Sequence, residues 1–395
     1  MIKRKKKNKE HNPFYDPTLK KRHVSAKRFK KFTLTSLIFS VAFLAFFLFD
    51  MIGKGIPAFN IAYIKTDVTF NEKTLEDTRF AVPTEYRNLV SRAALRDLPK
   101  LLEENPTYMN STQNIWILAS SQVDQYIKNH NHNLKDKDIA IVDELYAQGL
   151  IDKKFNAIFF ENGDSKIPEY AGIFSAVIGS ILTLIITMAV AFPIGVMTAI
   201  YLEEFAGDNK FTRFIEININ NLAAIPSILF GLLGLAIFIN LFGMPRSSPL
   251  VGGLTLALMT LPIIIVSSRA ALRAVPDSIR QAGYGLGLNK IQVTRDHVLP
   301  LAFPGIMTGS IIGLAQAMGE TAPLIIIGMI AFIPDAPSMV TQAATVMPAQ
   351  LFTWAGMPEG MYIEKTAAGI LVLLTILISL NAIAIYLRKK LEVKW

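Results

Sequence analysis

The chain has 395 residues, 51% of them hydrophobic, and carries 40 lysines and arginines against 31 acidic residues for a formal charge of +9. The apolar residues are gathered in long blocks with the charges between them, and about 18 or more consecutive apolar residues span a bilayer core, so an ordinary soluble domain is excluded. With no cysteine in the sequence, disulfides, thiol catalysis and cysteine-based zinc sites are excluded as well.

Residues 1–31 hold a run of basic side chains, among them Lys3, Arg4, Lys20, Arg22, Lys27, Arg28 and Lys31, opposed only by Glu10 and Asp16. Because an apolar block follows directly, this run reads as a topology determinant and not as a nucleic-acid tail. The first block runs from Phe32 to Phe49 and ends at Asp50. No small-x-small cleavage site follows it, so it reads as an uncleaved transmembrane helix over 32–52 with a cytoplasmic N-terminus.

Residues 53–170 form a polar insert with 17 acidic and 14 basic side chains. Its local signals predict a small α/β unit. Thr84 to Leu98 reads as a helix. Asn114 to Ala119 reads as a buried strand, and Ser121 with Asp124 as the cap of a helix after it. Asp143 to Gln148 reads as a helix stopped at Gly149. Ala157 to Phe160, before Asn162 and Gly163, reads as a strand and turn.

Five more apolar blocks follow at 171–201, 214–240, 250–267, 303–331 and 364–387. With the N-terminus inside, the insert is outside. The loops 202–213 (Lys210, Arg213) and 268–302 (Arg269, Arg273, Arg280, Lys290, Arg295) are then inside, as is the end of the chain with Arg388, Lys389, Lys390 and Lys394. The loops predicted outside hold one basic residue between them, Arg246, so the charge bias supports six spans with both termini cytoplasmic. Pro193, Pro226, Pro262, Pro304 and Pro323 interrupt or end these spans, and each removes a backbone donor that protein or a wet cavity must offset. Transporters and channels tolerate this more readily than simple anchors do.

The stretch from Val275 to Pro300 is the most informative. Pro276 starts a predicted short helix, Ile279, Ala282, Gly283 and Leu286 fall on one face, and Gly287 ends it. Such a face packs either on the protein's own helix ends or into a groove of a partner. The stretch resembles the EAA loop of ABC importer permeases, with Gln281, Ala282 and Gly283, then Gly287, then His297, Leu299 and Pro300 at the pattern's spacing. Gln, Gly and His stand where the pattern has Glu, Ala and Ile. Two further stretches, Phe192–Glu204 and Asn220–Leu235, resemble helix segments of phosphate importer permeases. Gly319-Glu-Thr-Ala-Pro-Leu324 resembles the signature of the PstA-type subunit.

The resemblance covers roughly 171–387. It implies an all-α polytopic permease of the type I ABC importer fold, with the α/β insert added. It implies a PstC-type second permease as heterodimer partner, two copies of an ATPase subunit, an extracytoplasmic phosphate-binding protein, and a place in a bacterial cytoplasmic membrane. It makes the loop a coupling element that seats on the ATPase, carried by Arg280, Gln281, Ala282, Gly283, Gly287, Leu299 and Pro300.

Read physically, Glu320 lies deep in an apolar block, where a carboxylate costs at least about 2.5 kcal/mol and faces a cavity or a partner. Gly309, Gly313, Gln316 and Glu320 form a predicted stripe at spacings of 4, 3 and 4. The glycines of such a stripe serve helix packing equally well. The candidates for a substrate path or gate are Glu320, Gln316, Thr321, Asn221 and Ser227, with Asn218 and Asn220 beside them. The related permeases often have a basic residue where Gln316 stands, so the charge that attracts an anion is expected from a partner.

His130 and His132 read as a solvated loop in preference to a metal site. No nucleotide-binding Gly-x-x-x-x-Gly-Lys-Ser/Thr pattern occurs, so ATP hydrolysis is expected in a separate chain, with no enzyme activity and no cofactor here. The alternatives are a permease for sulfate or molybdate and a membrane sensor that uses 53–170.

Overall fold

The computed structural model describes residues 18–330 and 332–391. The basic residues before Thr18, and Lys394, lie outside the described residues. The chain divides into two compact units, Met1–Gly53 and Lys54–Trp395. The described part of the first is one helix, α1 (Leu19–Gly55), which runs unbroken from the basic segment through the predicted span. Within it Thr35, Ser36 and Ser40 return their hydroxyls to the carbonyl four residues earlier. Hydroxyls satisfied in this way can sit in an apolar helix.

The insert is built on an antiparallel three-stranded sheet of order β2-β1-β3, with β1 Asn60–Phe70, β2 Ser111–Leu118 and β3 Ile151–Phe155. Tyr63 pairs with Leu118 on one side and with Asp152 on the other. Alternate residues of β1, including Ile64, Val68 and Phe70, are buried against Leu89, Val123 and Val142. Helices α2 (Ser121–Ile127) and α3 (Asp136–Ala147) pack on this face, the latter ended by Gly149 at φ +70, as do Leu95 and Leu98 of two short helices.

Three local expectations need correction. Thr84–Val90 is a turn that ends in a bridge to Ala119, and a helix forms only over Arg92–Arg96, once Ser91 has capped it. The start of α2 is not capped by Ser121 and Asp124. Glu169 accepts from the Ser121 backbone N–H at 2.5 Å, while Asp124 turns inward and accepts from Ala62 at 2.9 Å. Ala157–Glu161 is a helix capped by Asn156 and not a strand, and the third strand is the preceding Ile151–Phe155.

Among the described residues, five helices are long and apolar enough to cross a membrane, and one bent pair makes a sixth if it counts as one span. Besides α1 they are α4 (Phe174–Ile200), the pair α5 (Lys210–Ala223) and α6 (Ser227–Gly234), α7 (Pro249–Arg273), α9 (Leu299–Gly319) and α12 (Gly360–Leu391). The block predicted as one span over 214–240 is therefore two helices bent by 104° at Ala224–Pro226, where Pro226 cannot continue a helix. Three shorter helices complete the labelled set: α8 (Asp277–Gly285), α10 (Ala322–Ile326) and α11 (Met347–Ala355).

Close packing centres on α7. An added Cβ on Gly253 would lie 2.6 Å from Ile186 of α4, and one on Gly309 of α9 would lie 1.9 Å from Ser267 Oγ. Gly305 meets Ala271 in the same way. The glycines of α9 thus serve helix packing, as small-residue seams do in membranes.

The insert is fastened to the rest of its unit by buried polar groups. Lys365 on the first turns of α12 is fully buried and donates to the carbonyls of Pro168 (2.6 Å), Ala171 (2.6 Å) and Glu169 (3.2 Å). Its neighbour Glu364 accepts from Gln125 at 2.7 Å and pairs with Lys128 at 3.1 Å and with His130. Trp354 donates to Asp164 at 2.8 Å, and Tyr362 to the Ser165 carbonyl at 2.6 Å. His130 lies in a partly exposed loop, as expected, but also pairs with Glu364, and His132 stacks edge-on against Tyr126. Buried polar groups persist only when their partners are supplied, so this joint has one preferred geometry.

Candidate functional site

The helices that follow two breaks in the membrane helices pack against each other. One break is the bend between α5 and α6. The other separates α9 from α10, where the helix ends at Gly319 and Glu320 is extended at φ −76 and ψ 126. Gly231 of α6 approaches so near that an added Cβ would lie 2.7 Å from Pro323 Cα. Non-helical backbone at membrane depth is tolerated where protein buries it or where it lines a wet cavity.

Glu320 therefore caps a helix end and does not continue the stripe predicted on α9. Gly309 and Gly313 are buried against α7, whereas Gln316 is exposed and Glu320 is half-buried. Among the described residues the Glu320 side chain makes no hydrogen bond or ion pair. Thr321 follows it, half-buried, and its carbonyl accepts from Ile325. Asn221 lies exposed on the last turn of α5, and Ser227 begins α6 just after the bend. Asn220 is exposed too, and Asn218 returns its amide to Phe214. These residues lie at the ends of broken helices and not along one helical face.

The segment expected to couple is better defined. Pro276 precedes α8, and Gly287, at φ +82, turns the chain out of it in a conformation few other residues adopt cheaply. The expected single apolar face is divided. Gly283 is buried against Val293, where an added Cβ would lie 2.8 Å away, and Ile279 is half-buried. Gln281, Ala282, Tyr284 and Leu286 are exposed, and Leu286 keeps 80% of its surface free. Glycine in place of the pattern's second alanine is thus explained by the Val293 contact. Gln281 bonds Asp277 on its own helix at 2.9 Å. Leu299 and Pro300 belong to the first turn of α9, with Leu299 packed at the edge of the surrounding apolar cluster.

Arg280 points inward. It donates to Glu204 at 2.6 Å and 3.3 Å, and to the carbonyls of Val275 (2.8 Å) and Leu272 (3.0 Å) at the end of α7. Its hydrogen bond to the Glu204 carboxylate holds the guanidinium above its usual pKa. Glu204 is only 4% exposed and sits on a π-helical turn, Tyr201–Phe205, that ends α4. Glu203 on the same turn pairs with Arg273 at 2.7 Å and Arg269 at 3.3 Å, and Arg269 reaches Glu216 of α5 at 2.5 Å. Three carboxylates and three arginines thus tie α4, α5, α7 and α8 together. Arg269 and Arg273 are part of α7, not of a loop that begins at 268.

Sequence reasoning missed Glu203, Glu204 and Glu216. The available signal was a pair of adjacent carboxylates closing an apolar block, opposite a loop rich in arginine. It also missed Glu364 and Lys365, adjacent opposite charges at the start of the last apolar block. No group of three or more metal-ligating side chains occurs among the described residues.

A family model described as binding-protein-dependent transport system inner membrane component matches residues 191–393. A second model, a domain of unknown function designated DUF3333, matches residues 16–86 and 81–136. The chain is 36% identical over 160 residues to the phosphate transport system permease protein PstA of Mycobacterium leprae, covering 40% of this chain and 52% of that protein. It is 30% identical over 245 residues to PstA of Yersinia pestis, covering 61% of this chain and 81% of that protein. It is 33% identical over 168 residues to the probable ABC transporter permease protein YqgI of Bacillus subtilis, covering 42% and 56%. The chain thus spans about half the length of several curated relatives and most of the Yersinia protein.

Proposed function

Because the chain belongs to the family of binding-protein-dependent transport system inner membrane components, we propose that it is the PstA-type permease subunit of an ATP-driven importer of inorganic phosphate. The observation that carries this reading is the junction of two broken helices at Glu320 and Pro323, set in the stretch Gly319–Leu324. In this reading both termini are cytoplasmic, the insert faces outward, and the protein sits in the bacterial cytoplasmic membrane. A PstC-type permease pairs with it, two ATPase copies drive it, and a phosphate-binding protein delivers the substrate.

The mechanics follow from the contacts. An ATPase groove takes the exposed face of α8 with Gln281, Ala282, Tyr284 and Leu286. When the ATPases close, α8 moves, and Arg280 passes that motion to Glu204 and the end of α4 through two bonds, while two more hold it to the end of α7. The motion ends at the junction of α6 and α10, where a broken helix changes shape at lower cost than a continuous one.

At the junction Glu320 is an acceptor. It accepts a hydrogen bond from the protonated oxygen of monohydrogen phosphate, a group sulfate lacks at neutral pH. Gln316, Thr321, Asn221 and Ser227 offer neutral donors, and the partner permease supplies the positive charge. The test is phosphate uptake by Glu320→Gln in the assembled transporter. The expected result is a fall of at least tenfold with assembly intact. Unchanged uptake removes Glu320 from the path.

A further inference from the structure

The insert carries a basic cleft that the transport reading does not use. The segment after β1 and the helix Arg92–Arg96 enclose a cavity of about 690 Å³ lined by Arg79, Arg87, Arg92 and Arg96. Asp77 is the one carboxylate on its wall, and Arg79 already holds it in a two-bond pair at 2.7 and 2.9 Å. A second cleft of about 630 Å³ opens beside it, shares Arg87, Arg92 and Arg96, and has Lys166, Glu359 and Glu169 on its far wall, Glu169 being held by the Ser121 N–H.

The remaining three guanidinium groups have no carboxylate of their own. Arg87 lies over the Phe80 ring at 4.8 Å, and its Nε is buried yet makes no hydrogen bond to any described residue. Arg92 and Arg96 stand four residues apart on one helix, where like charges repel. Neither forms an ion pair with any described residue. A guanidinium presents a planar fork that matches two oxygens of a tetrahedral oxyanion. Three such forks line one cleft whose single carboxylate, Asp77, is already held by Arg79, so an anion there would relieve both the Arg92–Arg96 repulsion and the unmade bond at Arg87.

We propose that this cleft binds an oxyanion of the phosphate class through Arg87, Arg92 and Arg96. The identity of the anion and the outward face of the insert rest on the importer reading; the site itself rests on the arginines. Placed outside, it holds substrate anions beside the permease, separate from the path at Glu320.

The test is binding of labelled orthophosphate to the full chain in maltoside micelles, which contain no lipid phosphate, with no binding protein present. Saturable binding is expected, weakened at least tenfold in Arg92→Gln/Arg96→Gln. Both side chains are exposed, so the melting temperature of that variant should match the wild type. Arg92→Lys/Arg96→Lys keeps the charge, loses the fork and should fall between the two. Absence of saturable binding, or equal affinity in the Gln double variant, overturns the proposal. So does arginine-dependent capture of an acidic binding protein by a chain that binds no phosphate. A chain that binds phosphate through these arginines but supports no uptake keeps the site and removes the importer. Uptake without arginine-dependent binding does the reverse.

Discussion

Replacing Arg280 with alanine tests how α8 is fastened to the membrane helices. The guanidinium side chain is 14% exposed and Glu204 is 4% exposed, so the pair is buried on both sides. Removing one member leaves the Glu204 carboxylate without its counter-charge, which costs about 3–5 kcal/mol. The carbonyls of Leu272 and Val275 lose this donor as well, although Leu272 keeps the Val275 N–H. The expected loss is therefore about 3–5 kcal/mol. Arg280→Lys should recover only part of it, since an ammonium keeps the charge but cannot reproduce the fork. Denaturant unfolding of the full chain in micelles measures the loss, and co-purification with the ATPase measures its functional side. The Arg280→Ala/Glu204→Ala double variant should be less damaged than the two single losses added together, because the singles share one interaction. A loss under about 1 kcal/mol for Arg280→Ala, or simple additivity with Glu204→Ala, would refute the claim that this pair anchors α8.

Leu286→Asp should abolish capture of the ATPase with no change in melting temperature, because Leu286 is exposed and makes no packing contact to lose. Gly287→Asp is a poorer probe, since φ +82 adds backbone strain to any effect on docking. Gly309→Ala should destabilise by about 1–3 kcal/mol by forcing α9 off Ser267, and Ser267→Gly should restore part of the loss in a thermal melt. Burial pushes the Asp164 carboxyl above its usual value, with the hydrogen bonds from Trp354 and Ser165 and the nearby Lys365 charge only partly opposing it. The folded chain therefore keeps a proton that the unfolded chain has already released. The Asp164 contribution to stability falls as pH rises from about 4 through its raised folded pKa and is constant above it. Asp164→Asn keeps an acceptor for Trp354 and should flatten that slope in melting temperature against pH. Glu169, raised by the same cause, should leave part of the slope in place. An unchanged slope would count against the Asp164 assignment.

The membrane helices were legible because their signal is long-range and redundant: eighteen or more apolar residues with basic flanks leave few alternatives. The break in the 214–240 block was less so, since Pro226 marks a boundary but not whether the chain kinks or turns by 104°. Glu320 was visible as an odd carboxylate, yet the helix end beneath it was not, because Thr-Ala-Pro permits either a kinked helix or a stop. In the insert, Ala157–Phe160 is apolar enough for a strand, and Asn156 as a cap decides for a helix. The ion pairs joining Glu204 to Arg280 and Glu364 to Lys128 link residues 76 and 236 positions apart. No local pattern encodes such pairings.

The most direct test of the central claim is labelled-phosphate uptake in cells that lack this subunit, with and without the intact gene, under excess sulfate. The account predicts that the gene restores uptake and that sulfate does not suppress it. Failure to restore uptake, with the protein assembled in the membrane beside its partners, would contradict phosphate as the substrate.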